Sequence, residues 1–147
     1  MATPVTLRPA RAGDLAFCRR LYYEAMRPTI QLLFGWDEAR QDAVFAQQWL
    51  VDEVTIIRQD DRDIGWLQSG GADGAIFVKQ LYLDEAFRNL EIGTNVLQGV
   101  MDQAQRGRLA VTLAVVKDNP ARRLYERLGF RVTHEDLYKV YLRRDPA

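Results

Sequence analysis

Residues 118–130 read Asp-Asn-Pro-Ala-Arg-Arg-Leu-Tyr-Glu-Arg-Leu-Gly-Phe, and no other stretch of the chain leaves the backbone so few choices. Asn119 is a strong helix-capping residue type. Pro120 suits the first helical position, where its missing N–H would have had no intrahelical partner. Ala121, Leu124, Tyr125 and Leu128 then share one face at helical spacing. Gly129 supplies the stop, because glycine enters the left-handed region without steric cost, and Phe130 opens the next apolar run. The expectation is a strand end, a short capped helix, a stop and a new strand.

A second informative segment lies upstream. Residues 76–84, Ile-Phe-Val-Lys-Gln-Leu-Tyr-Leu-Asp, are rich in β-branched and aromatic side chains and predict a strand. Residues 85–87 read as a short turn, and Arg88-Asn89-Leu90-Glu91-Ile92-Gly93-Thr94 follows. Ile92, Val96, Leu97, Val100, Met101 and Ala104 recur at helical period, with Gly107 expected to close the helix. A strand thus feeds through a loop into a helix N-terminus. The first turn of a helix carries unpaired N–H groups at the positive end of its dipole, which suits an anion such as a polyphosphate. Arg88 adds a permanent cation with a planar donor fork.

Residues 119–130 closely resemble the N-P-A-x-x-L-Y-E-x-x-G-F segment of the GNAT superfamily of acyl-CoA-dependent N-acetyltransferases. Residues 88–93 resemble that superfamily's pyrophosphate loop, Q/R-x-x-G-x-G/A. Arg88 fits the first position and Gly93 the last, while Glu91 stands where the first glycine belongs. Forcing a non-glycine residue into the left-handed region costs about 1–2 kcal/mol, and a carboxylate near a diphosphate adds repulsion unless it points to solvent. The resemblance implies acetyl-CoA as co-substrate and no metal. It implies cofactor contacts at Leu81, Tyr82, Leu83, Arg88, Asn89, Leu90, Glu91, Ile92, Gly93, Thr94 and Asn119. It also places Tyr125 beside the thioester sulfur as general acid. Backbone N–H groups around Leu81, Tyr82 and Leu83 would hold the pantetheine amides and polarise the thioester carbonyl. Asn119 would bond the pantetheine arm, in competition with its capping role. A tyrosine, with pKa about 10, starts protonated at neutral pH and can give its proton to a departing thiolate, whose thiol has pKa about 8.5. Such assistance contributes about 10²–10⁴-fold.

The rest of the chain fits the same order. Residues 5–8 read as a strand. Asp14 is expected to cap a helix with Leu15, Cys18, Leu21, Tyr22, Ala25 and Met26 on one face, and Pro28 to break it. Residues 31–34 are ambiguous. Asp37 is expected to cap a second helix running to about Leu50. Residues 54–59 and 64–68 predict strands around a polar turn at 60–63, and the Ser-Gly-Gly-Ala-Asp-Gly run at 69–74 a turn cluster. Residues 110–116 predict a central strand, and 130–133 and 138–142 two final ones. The order β α α β β β α β α β β matches the superfamily along essentially the whole chain. It implies one domain over 1–147: a mixed, splayed β-sheet of the α/β (α+β) class flanked by helices on both faces. Acyl-CoA would lie where the strands ending at Asp84 and Val116 part. The first two helices and the 133–138 connection would face the acceptor.

Composition bounds the function classes. The chain has 147 residues with 20 basic and 20 acidic side chains, so no basic excess argues for nucleic acid. One Cys and one His leave no metal-ligand cluster and no internal disulfide. Cys18, on an apolar helix face, reads as a buried inert thiol. No G-x-S-x-G suggests a hydrolase and no G-x-G-x-x-G a dinucleotide fold. Charges interrupt any apolar N-terminal run, and no segment is apolar enough to span a membrane, so a reducing cytoplasm is the expectation. Among Tyr22, Tyr23, Phe34, Trp36, Phe45 and Trp49 most are expected in the core, with one or two lining an acceptor pocket. The acceptor is expected to be a primary amine of a small molecule or peptide. Glu24, Asp52, Glu53, His134 and Glu135 are the candidate general bases. A homodimer is compatible with the sequence. The rival functions are a non-catalytic acyl-CoA-binding module with a decayed phosphate loop, and a pure interaction domain.

Overall fold

The computed structural model describes residues 4–88, 91–117 and 119–147. Seven strands form one mixed, mostly antiparallel sheet in the order β1-β2-β3-β4-β5-β7-β6. Their ranges are β1 Thr6–Pro9, β2 Val54–Gln59, β3 Arg62–Ala72, β4 Ala75–Leu83, β5 Ala110–Val116, β6 Arg131–Glu135 and β7 Lys139–Arg144. The helices are α1 Leu15–Phe34, α2 Glu38–Gln48, α3 Ile92–Arg106 and α4 Ala121–Arg127. The chain groups into two compact units. One comprises residues up to Gln68 with Gln80–Gly93, the other Ser69–Lys79 with Thr94–Ala147.

In the first unit, α1 and α2 supply Cys18, Leu21 and Phe45 to an apolar cluster completed by Trp49, Val54, Ile56 and Trp66. Cys18 is fully buried, and burial pushes its thiol up to about 12, so it behaves as the inert core residue expected. Pro28 does not end α1. A proline inside a helix costs one hydrogen bond and a steric adjustment, about 3 kcal/mol. Tertiary contacts flank that position: Tyr23 packs edge-on against Trp36 at 4.9 Å, and the Arg27 guanidinium lies 4.8 Å from the Trp36 ring centroid. The helix stops at Gly35, whose N–H bonds the Gln31 carbonyl and whose φ is 76°. Residues 31–34, ambiguous in sequence, are therefore helical.

Asp14 closes a short turn over Ala12–Asp14 but does not cap α1 with its side chain. Its carboxylate instead accepts two bonds from the Arg8 guanidinium, at 2.9 and 3.0 Å, and one from the Arg11 N–H at 2.8 Å. Arg8 also bonds Asp63, so three stretches of chain meet at one cation. The bonds from Arg8 hold the Asp14 carboxyl below the usual range. A carboxylate lowered in the folded state stabilises above its unfolded pKa, near 4, and loses that contribution as pH falls through the lower folded value. Urea unfolding of the wild type and Asp14→Asn as a function of pH should show a gap at neutral pH that closes below about pH 4. A constant gap across that range would exclude the Arg8 pair as its cause.

Both hairpin turns around β3 use pairs of left-handed residues, Asp60-Asp61 and Asp73-Gly74, which fit the sheet's twist. The second turn is tight, so Ser69–Ala72 belong to β3 and not to the turn cluster expected from their composition.

In the second unit the buried side chains alternate along β7, with Val140 and Leu142 inside, as a half-covered strand requires. Val96, Leu97, Val100, Met101 and Ala104 of α3 are buried as the helical period demands. The helix closes in a Schellman motif: Leu109 N–H bonds the Ala104 carbonyl and Arg108 N–H bonds that of Gln105. The left-handed residue is Arg108, at φ 55°, and not Gly107. Parallel pairing of β4 with β5 runs from Ala75 opposite Ala110 to Val78 opposite Leu113. β6 is an edge strand exposed along its whole length.

Candidate active site

In the first unit, Leu81, Tyr82 and Leu83 form the end of β4, past its last pair with β5. Gly65 of β3 lies against them. A Cβ at Gly65 would come within 2.5 Å of the Tyr82 carbonyl oxygen and 3.3 Å of the Leu83 Cα. Only glycine allows that approach. Asp84 N–H bonds the Ile64 carbonyl at 2.7 Å and continues the register into the loop. The Tyr82 ring packs on Trp66 and Tyr22 at 5.5 Å, and Phe45 lies 5.3 Å from Tyr22 and 5.9 Å from Trp66. The segment is therefore held on one side by backbone contact and on another by an aromatic cluster. Of the six aromatics read from sequence, Phe45 and Trp49 are buried, whereas Phe34 is 61% exposed.

The loop begins with Asp84, whose side chain caps the short Glu85–Phe87 turn, and reaches Arg88. Arg88 Nε donates to the Leu83 carbonyl at 3.1 Å. Its Nη2 is a buried donor without a partner among the described residues. An unpaired guanidinium N–H in the interior is costly, and an anion set against it would satisfy it, so the residue fits a phosphate. Asn89 and Leu90 lie outside the described residues. Glu91 has φ 62°, the left-handed conformation that the glycine of the resembling motif would take freely. It is exposed and pairs with no group among the described residues. Ile92, Gly93 and Thr94 open α3, where backbone N–H groups lack intrahelical partners. An added Cβ at Gly93 would meet nothing closer than a Leu83 methyl at 3.7 Å, so the protein itself would accept alanine there. We expect Glu91→Gly to raise stability by about 1 kcal/mol through relief of left-handed strain, and to leave CoA affinity equal or tighter. Calorimetry at two salt concentrations measures the second part. Clear weakening of CoA binding would make Glu91 a working part of the loop.

In the second unit, α4 starts at Ala121, one residue later than expected, with Pro120 at its N-cap and Asn119 just before it. Asn119 Oδ1 accepts from Ala121 N–H at 2.8 Å, and Arg122 N–H bonds the Asn119 carbonyl at 3.2 Å. The bond to Ala121 uses only the side-chain oxygen. The Nδ2 group takes no part in that bond and keeps two donors. Asp118 lies outside the described residues. At the other end Phe130 N–H bonds the Tyr125 carbonyl and Gly129 N–H that of Glu126, a Schellman motif with Gly129 at φ 96°. The motif's apolar contact is Phe130 against Tyr125, ring centroids 6.0 Å apart. Ala121, Leu124, Tyr125 and Leu128 are the partly covered residues of this stretch, as their spacing required. Burial raises the Tyr125 pKa, so its hydroxyl is neutral throughout the physiological range. That hydroxyl has no partner among the described residues.

The candidate bases are dispersed among other duties. Glu24 pairs with Arg20 at 3.0 Å. Glu53 accepts from the buried Gln68 amide, which also bonds the Gln48 carbonyl. Asp52 is exposed in the short turn before β2. His134 stacks flat on Tyr141 at 4.3 Å, with its Nδ1 against Thr133 Oγ1, and Glu135 lies 3.7 Å from Lys117. Sequence reasoning missed Gly65. Its only local signal is a glycine inside an apolar strand, which marks close backbone approach in general.

These features define a mixed α/β fold with an anion-ready loop and a half-buried, neutral tyrosine. The family model described as an acetyltransferase (GNAT) domain matches residues 51–132, and the chain belongs to that family. No curated protein matches the chain in sequence. Solved structures share the fold at low identity. The PaiA N-acetyltransferase of Thermoplasma acidophilum, in complex with coenzyme A, superposes with TM-score 0.77 at 16% identity, over 97% of this chain and 99% of that one. The ribosomal-protein-S18-alanine N-acetyltransferase of Escherichia coli gives 0.72 at 14%, over 98% and 95%. An N-acetyltransferase of Staphylococcus aureus gives 0.73 at 14%, over 94% and 99%. No helix among the described residues is long and apolar enough to cross a membrane, and none of their His, Cys, Asp and Glu side chains form a metal-binding group.

Proposed function

We propose that this chain is an acetyl-CoA-dependent N-acetyltransferase, one catalytic domain over residues 1–147, acting in the cytoplasm on a primary amine of a small molecule or peptide. Acetyl-CoA supplies the activated thioester carbonyl. Backbone N–H groups of Leu81, Tyr82 and Leu83 orient the pantetheine amides and polarise that carbonyl. Arg88, with the first turn of α3 from Ile92 to Thr94, takes the diphosphate, and the Asn119 Nδ2 group takes the arm. The amine attacks directly: its nitrogen bonds to the carbonyl carbon and the carbon–sulfur bond breaks. Tyr125 gives its proton to the leaving sulfur and recovers one from the medium, to which the amine has released its own. The single observation carrying this reading is Tyr125, a neutral hydroxyl without a partner among the described residues, on a helix with a defined start and stop.

The ribosomal-protein enzyme among the structural relatives acts on an alanine amine, which supports including peptide amines in the screen. The test is CoA release from acetyl-CoA with a mixed library of small and peptide amines. Turnover with any amine supports the enzyme. Binding of acetyl-CoA without turnover would favour a non-catalytic module, the reading that the strained Glu91 supports.

A further inference from the structure

We infer that Arg144, at the end of β7, is a positioning residue that sets Tyr125 through the C-terminus of α4. This rests on the reading of Tyr125 as the general acid. α4 has seven residues, too few to hold a helix by itself, so its placement depends on anchors. The last carbonyls of a helix lack intrahelical partners, and its dipole is negative there. Arg144 meets both conditions. Its Nε donates to the Leu128 carbonyl at 3.1 Å from a half-buried position. The Arg144 backbone is fixed in turn by β7, where it stands opposite Val111 of β5. Gly129 is shaped around this contact, since a Cβ there would lie 3.3 Å from Arg144 Nε, at a φ of 96° that already demands glycine. The same two residues, Leu128 and Gly129, lead into Phe130, whose N–H bonds the Tyr125 carbonyl and whose ring rests on the Tyr125 ring. One guanidinium therefore fixes the turn that fixes the tyrosine. The neighbouring Arg143 pairs with Asp145 at 2.7 Å and has no such contact.

The side chain of glutamine places an amide nitrogen where Arg144 has Nε, while methionine has the same length and no donor. Arg144→Gln should keep kcat near the wild-type value. Arg144→Met should lower it about three- to tenfold, the worth of one hydrogen bond, with little change in KM for acetyl-CoA. Loss of the anchor also lets water reach Tyr125, so the alkaline fall in kcat should move to lower pH in the methionine variant. Arg143→Ala, which removes the same charge, should leave activity unchanged. All variants are assayed at a temperature where circular dichroism shows them folded, and Arg144→Met is repeated in a Tyr125→Phe background, where it should have no further effect on kcat. Equal kcat for Met, Gln and wild type would overturn the inference, as would an equal loss with and without the Tyr125 hydroxyl. If the methionine variant does not fold, the glutamine variant decides: wild-type kcat supports the inference, and a loss as large as that of Tyr125→Phe overturns it. An unchanged kcat in Tyr125→Phe alone would refute the acid itself, a separate failure.

Discussion

Tyr125→Phe should lower kcat by about 10²–10⁴-fold, the usual range for a lost general acid, while acetyl-CoA still binds. The substitution removes one oxygen and keeps the ring. The Phe130 contact at 6.0 Å and the two backbone bonds of the Schellman motif do not involve that oxygen, so the fold of α4 should survive. Burial raises the Tyr125 pKa. The group with the raised value is protonated below it and loses its proton only as pH rises through it, so wild-type kcat should fall only at strongly alkaline pH. The phenylalanine variant should lack that fall. Steady-state kinetics at saturating acetyl-CoA and amine, with chemistry shown to be rate-limiting, give the answer. An unchanged kcat would refute the role.

Gly65→Ala should be the most damaging single methyl group in the first unit. The added carbon would overlap the Tyr82 carbonyl at 2.5 Å and a Leu83 methyl at 2.6 Å. A leucine side chain can turn aside, but a backbone carbonyl in a strand cannot move without its neighbours. Overpacking of this kind costs about 1–3 kcal/mol. The displacement falls on Tyr82 and Leu83, whose N–H groups are proposed to orient the thioester, so KM for acetyl-CoA should rise along with the loss of stability. At the nearby Gly93, alanine meets only a side chain at 3.7 Å and should be mild in stability. Thermal unfolding of the two variants side by side checks the contrast. Equal midpoints would mean that β4 yields at Gly65 far more readily than its contacts indicate.

The parts of the fold that sequence disclosed are those written in local terms. The apolar period of α3, the continuous run of β5 and the stop of α4 are all decided within a few residues, and each is where the pattern placed it. For Glu91 the sequence left strained and relaxed geometry open, and the structure gives it a positive φ. Elements decided across long sequence distances were not legible. Pro28 sits inside α1 although the local rule predicts a break. Ser69–Ala72 look like a turn by composition but lie in β3, which the Asp73-Gly74 pair allows to run to its end. Asp14 has the chemistry of a cap, yet Arg8 claims its carboxylate. Gly65 and Arg144 gain meaning only from residues that folding brings to them.

The proline inside α1 also divides that helix in its resistance to opening. With no N–H at Pro28, the Glu24 carbonyl loses its usual donor. Before this break lie Cys18 and Leu21, both fully buried, so exposing that half to solvent would uncover core. After it come Leu32, 85% exposed, and Phe34, 61% exposed, with little apolar burial to lose. The final turns can therefore unwind as a separate unit while the first half stays folded, since local opening is governed by what it uncovers. The helix is one element in geometry but two in cooperativity, and the half that loosens first is the half that leads into α2.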